Sequence, residues 1–244
     1  MPVNALTVIG SLIGAGITYA GWRQWKKKQL IENTPRSTVR SISMGRTELH
    51  GTIDTDNPLE GPLSGKPVVA YEYKIQREND DDDDPGRYDT LRSGYDTTTA
   101  TLTDDTGTVA VDLDEVSIEQ GTFFKETTHS FDDPSPELKE QLDKLNVSYE
   151  GWFGGNYDMK FTETRIETGD DVYLLGTARD NPDVADGTAT KGHQDVLIED
   201  AGNTYLIATG DEDNLVTTET YYAYGFLTVG LIILTLSLVY MIAY

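Results

Sequence analysis

Two segments without a single charged side chain bracket a long acidic stretch, and that layout limits the architectures open to the chain. ALTVIGSLIGAGITYAGW (Ala5–Trp22) runs 18 residues with no Asp, Glu, Lys or Arg, and TYYAYGFLTVGLIILTLSLVYMIAY (Thr220–Tyr244) runs 25. A helix of roughly 20 apolar residues crosses the ~30 Å hydrocarbon layer of a bilayer. The expectation is therefore a transmembrane helix over 1–22, a basic juxtamembrane linker over 23–40, a β-rich domain over 41–215 and a second transmembrane helix over 220–244. A cleaved signal peptide is the alternative for the first segment. Against it, no basic residue precedes the apolar run, and the positive charges follow it.

Those charges give the expected sidedness. Trp22 and Trp25 suit a membrane interface, and Arg23, Lys26, Lys27 and Lys28 suit its cytoplasmic side. Contact with membrane lipid follows, in a two-pass cell-membrane protein with a cytoplasmic large domain; an extracellular domain is the alternative. Gly10, Gly14, Ile17 and Gly21 recur at helical spacing. Small residues at that spacing let a second helix approach closely, so Gly10, Gly14 and Gly21 are expected to pack against another helix.

Net charge is −23, unevenly spread: residues 1–47 hold seven basic residues and one acid, and the remainder holds 12 basic against 41 acidic. Nucleic acid, which needs positive potential, is excluded as a partner on this ground. The excess of Asp and Glu over Lys, with abundant Thr, is similar to the composition of proteins from extreme halophiles. β-Branched and aromatic residues interleave with the acids, which argues for a folded body rather than disorder. With no cysteine in the chain, disulfides, thiolate nucleophiles and cysteine-based zinc sites are ruled out.

The body reads as β-rich α+β, a small barrel or sandwich built from hairpins. In GRTELHG, Gly45 and Gly51 bracket a short strand. PVVAYEYKIQRE (Pro67–Glu78) alternates Val69, Tyr71, Tyr73 and Ile75 against Ala70, Glu72, Lys74 and Gln76, the pattern of a half-buried strand. TATLT, DDTG and TVAVDL form a hairpin. One helix follows, capped by Asp133 or Ser135, with Pro136 in its first turn and a narrow Leu138–Leu142–Leu145 stripe that suits a sheet edge. Further hairpins turn at Thr168-Gly169 and Ala201-Gly202. NDDDDDP (Asn79–Pro85) reads as a solvated loop, with a calcium site as the alternative. GWFGGNYD (Gly151–Asp158) reads as a buried plug or an exposed binding loop, with Trp152 and Phe153 as possible partner contacts.

Taken together, GRTELHG (45–51), GPLSGKPVVAYEY (61–73), LTDDTGTVAVDL (102–113) and ETRIETGDDVYLLGTA (163–178) resemble, in order, the motifs of the GIDE (beside-a-membrane, BAM) domain family. The resemblance spans about 41–215, with one flanking helix on each side as in the family. The family includes mitochondrial ubiquitin ligases, in which a cysteine-rich RING domain follows the second helix. This chain carries no cysteine, and Val68 stands where the family phrase often has Cys. Ligase activity is therefore not implied.

The residues themselves suggest no chemistry. His50, His129 and His193 lie in unrelated contexts, and neither a nucleophile elbow nor a phosphate-binding loop is present. No catalytic residue, metal ligand or cofactor site is expected. The expected function is a membrane-anchored, non-catalytic interaction or scaffold module that binds a protein partner or forms a homo-oligomer. The alternative is a RING-less component of a ubiquitin-ligase-like system completed by another chain.

Overall fold

The structure is a computed structural model describing residues 5–34, 36–79, 86–151, 155–182, 196–200, 205–210 and 212–243, without the side chains of 5–7, 212–223 and 241–243. It divides into two compact units, Met1–Pro35 with Asp211–Tyr244, and Arg36–Gly210.

The first unit pairs α1 (Ala5–Asn33) with α3 (Glu212–Ala243). Among the described residues no helix is long and apolar enough to cross a membrane. In α1, glycines and hydroxyls dilute the apolar half, and Arg23, Lys26, Lys27, Lys28 and Glu32 fill the rest. This finding overturns the two transmembrane helices of the expected fold, and with them the two-pass cell-membrane localisation.

The second unit is β-rich α+β. Its strands are β1 (Gly45–Asp54), β2 (Leu59–Glu60), β3 (Pro67–Glu78), β4 (Tyr88–Thr97), β5 (Ala100–Thr103), β6 (Thr108–Val111), β7 (Ser117–Gln120), β8 (Thr122–Thr128), β9 (Met159–Glu167), β10 (Asp171–Asp180), β11 (Val196–Glu199) and β12 (Leu206–Thr209), with α2 (Pro136–Leu145) between β8 and β9. β1 pairs with both β5 and β10, so β1–β5–β6–β11–β10 closes into a five-stranded barrel. β12 and β7 extend from β10. The barrel core holds Leu49, Ile53, Leu102, Val111, Leu174 and Ile198, among others.

The other sheet stays open. Its path is β2–β3–β9–β8, and β4 pairs with β3 beside β2. One face is covered by α2, whose Leu138 and Leu142 are fully buried with Leu63, Tyr73, Ile75, Met159 and Phe161. The helix therefore covers a sheet face rather than a sheet edge. Ser135 is its N-cap, accepting from Leu138 N at 3.4 Å and donating to Glu126 Oε2 at 2.8 Å. β3 serves both cores: a register shift between Val68 and Ala70 sends Val69 and Ala70 to the barrel core, while Tyr73 and Ile75 face α2.

Candidate functional site

The phrase PLSGK (62–66) forms a turn that closes over a buried carboxylate. Gly61 N donates to Lys66 O at 2.8 Å, and Gly65 N to Gly61 O at 2.8 Å. Gly65 adopts φ +66°, and a Cβ there would stand 2.7 Å from Gln141 Nε2 of α2. The left-handed backbone thus favours glycine here. Leu63, 1% exposed, points into the core beneath α2.

Glu163 is fully buried on β9. Its Oε2 accepts from Leu63 N at 2.6 Å and Ser64 N at 3.2 Å, and its Oε1 accepts from Ser64 Oγ at 2.5 Å. Arg165, two residues on and hence on the same face, donates through Nη1 to Glu163 at 3.5 Å. Its Nε and Nη2 donate to Glu167 at 2.9 and 2.7 Å. A buried carboxylate is tolerable only with such compensation. Ser64 Oγ spends its proton on Glu163, so it is an anchor of the turn rather than a nucleophile.

The rim of the turn ties to α2 by charge. Glu60 accepts from Lys144 Nζ at 2.7 Å and Gln141 Nε2 at 3.1 Å. The hydrogen bonds from Lys144, then Gln141, hold the Glu60 carboxyl below its ordinary pKa. β2, β3, β9 and α2 thus meet at five consecutive residues.

The small residues of α1 sit against α3. A Cβ on Gly10 would stand 2.6 Å from Ser237 Oγ, one on Gly14 2.9 Å from Leu234 Cγ, and one on Gly21 2.7 Å from Leu227 N. Lys26 lies over the Trp22 ring at 4.0 Å, Lys28 is 5.7 Å from the Tyr224 ring, and Lys28 pairs with Glu32 at 3.2 Å. Trp22 and Trp25 are exposed, as are Leu12, Ile13, Leu231, Ile232, Leu236 and Val239.

The remaining sequence-predicted positions are scattered. Trp152, Phe153, His193, the aspartates 80–84 and the Ala201-Gly202 turn lie outside the described residues. His50 Nε2 is 3.3 Å from Gly210 O, and His129 Nδ1 is 3.8 Å from Asp158 Oδ1. Among the described residues no group of three or more His, Asp or Glu side chains could hold a metal ion. Sequence reasoning missed Glu163 and Arg165: a charged residue on a strand ordinarily reads as solvent-facing, and only their spacing with Phe161 places them on the buried side. Neither a family model, nor a curated protein, nor a solved structure matches the chain.

Proposed function

We propose that this chain is a non-catalytic interaction and scaffold module of the GIDE type, and that it works by self-assembly. The observation carrying this reading is the apolar surface that the α1–α3 pair turns outward. Leu12 is 68% exposed and Leu236 64%, in company with Ile13, Leu231, Ile232 and Val239. An outward row of large aliphatic side chains needs cover in a working assembly, and a second helical pair of the same kind supplies an apolar surface of matching character. The ordered GRTELHG, GPLSGKP, LTDDTG and ETGDD phrases support the family reading.

The absence of cysteine makes a clean test possible, because any cysteine introduced is the only one. Leu12→Cys and Leu236→Cys place thiols on the outward surface. Ser237→Cys places one against Gly10, inside the pair. Oxidation of the purified full chain should join two copies through the outward thiols and not through the inward one. A strictly monomeric product at both outward positions, with no second protein retained by the cross-linked chain, overturns the proposal.

A further inference from the structure

The open sheet ends in β8 on one side and β4 on the other, and the two edges are guarded differently. β8 is seven residues long with Lys125, exposed, near its middle. Lysine on an edge is a common barrier to strand addition, because pairing would bury its charge. β4 is ten residues long, contains neither Lys nor Pro, and is exposed from Asp89 to Ser93. β3 is its only strand partner among the described residues. A register shift isolates Leu91, which has no partner between Thr90 and Arg92, so the edge is irregular there. From Arg92 to Thr97 the pairing with β3 is regular, residue by residue.

That regular segment is RSGYDT, with Arg92 and Asp96 both exposed and on the same face as Gly94. Gly94 lies opposite Tyr73, and a Cβ there would stand 2.6 Å from Tyr73 Cε1. The tyrosine ring therefore covers a position with no side chain of its own. Two copies of an edge can extend one sheet antiparallel only about a two-fold axis perpendicular to that sheet. Opposed residues must then face the same side, so the axis passes through a residue and not between two. An axis at Arg92 opposes two arginines. An axis at Ser93 opposes Arg92 with Gly94 and leaves the charges unpaired. An axis at Gly94 opposes Arg92 of each copy with Asp96 of the other, twice. It also opposes Ser93 with Tyr95, and it brings the two backbones together where neither strand carries a side chain.

We infer that the Arg92–Thr97 edge of β4 is a docking strand for a second copy of this chain, joined antiparallel about Gly94 and registered by two Arg92–Asp96 pairs. Main-chain hydrogen bonds supply the attraction and the charge pair supplies the register. This contact is separate from the helical surface of the proposed function. Arg92 also donates from Nη1 to Leu145 O. This fixes the side chain from one end and leaves its other N–H groups for the incoming carboxylate.

A charge exchange in the full chain tests the register, read as molecular mass by light scattering over a concentration series. Asp96→Arg opposes two arginines and Arg92→Asp opposes two aspartates, so each should weaken self-association at this contact at least tenfold. The exchanged double variant R92D/D96R restores opposite charges and should recover most of it, although the bond to Leu145 is not restored. Circular dichroism confirms that each variant folds. In a separate variant, R92C/D96C, the two thiols of one strand lie about 13 Å apart, so disulfide formation reports pairing between copies alone. Association unchanged by D96R, or a double variant no better than the singles, overturns the inference. Oxidation of Leu236→Cys in each charge variant reads the helical contact independently, so failure of one does not count against the other.

Discussion

The two sheets of Arg36–Gly210 solve the same problem in opposite ways. The barrel closes β1 onto β10, so its five strands have neighbours on both sides and its apolar faces turn inward. The open sheet keeps two edges and must borrow a cover for its apolar face, which α2 and the PLSGK turn provide. Closure makes the barrel self-sufficient and sensitive at its seam. Openness makes the other sheet dependent on a few contacts outside the strands, above all those of Glu163, and leaves a backbone edge available to a partner.

Four substitutions sharpen that contrast. Glu163→Ala should have the largest effect, about 3–5 kcal/mol, because it strands the Leu63 and Ser64 donors and leaves Arg165 half-paired in the interior. Urea unfolding measures it, and Glu163→Gln should lose less. A loss below about 1 kcal/mol would show that the turn holds without its carboxylate. Leu142→Ala, beneath the same cover, should cost about 2–5 kcal/mol. Hydrogen exchange in this variant should accelerate in β3 and β9 before β1 and β10; uniform acceleration would mean that the two sheets open together.

Gly51→Ala attacks the barrel instead. A Cβ there runs into the Thr103 carbonyl, and the neighbour is backbone that cannot swing aside. Overpacking of this kind costs about 1–3 kcal/mol and should appear in thermal unfolding. The smallest effect, about 1 kcal/mol, belongs to Tyr95→Phe. The Tyr95 hydroxyl donates to Val116 O at 2.8 Å and approaches Leu113 O at 3.3 Å, tying β4 to the loop after β6. Burial, then the nearby Asp114 carboxylate, pushes its pKa up to about 12 from 10. The folded state thus holds this proton more tightly than the unfolded chain does. Its contribution is complete below pH 10 and disappears as pH rises toward 12. The phenylalanine variant should show a shallower loss of stability across that window.

Much of the sheet architecture was legible where one face alternates with the other. β3 was read from its alternation, and the β5–β6 hairpin from DDTG. β4 and β8 were not: both are edges with mixed exposure, so neither carries a clean period. Gly51 looked like the end of a short strand, whereas β1 runs through it to Asp54, and the glycine serves the close approach of β5. The narrow leucine stripe of the helix suggests a sheet edge, yet two leucines suffice to seat it on a face when Leu63 and Phe161 complete the layer. Freedom from charge makes the flanking apolar runs look like membrane spans. Over the described residues, neither helix combines the length and the apolarity that a span takes. The PLSGK phrase reads as a turn from its Pro and Gly alone, but what it closes over is written a hundred residues away.

The seam of the barrel also sets an order of events in time. β1 ends at Asp54, and the strand it lies against for eight residues begins at Asp171. During synthesis at ~5–20 residues per second, β1 must wait several seconds for that partner while the two strands of the β3–β4 hairpin are already at hand. Pairings so distant along the chain are slow to form and leave strands exposed meanwhile. The open sheet has its last strand, β9, by Glu167, whereas the closed sheet still waits for β10 and β11, so the closed sheet, the more self-contained of the two once made, is the last part of the body that the chain can finish.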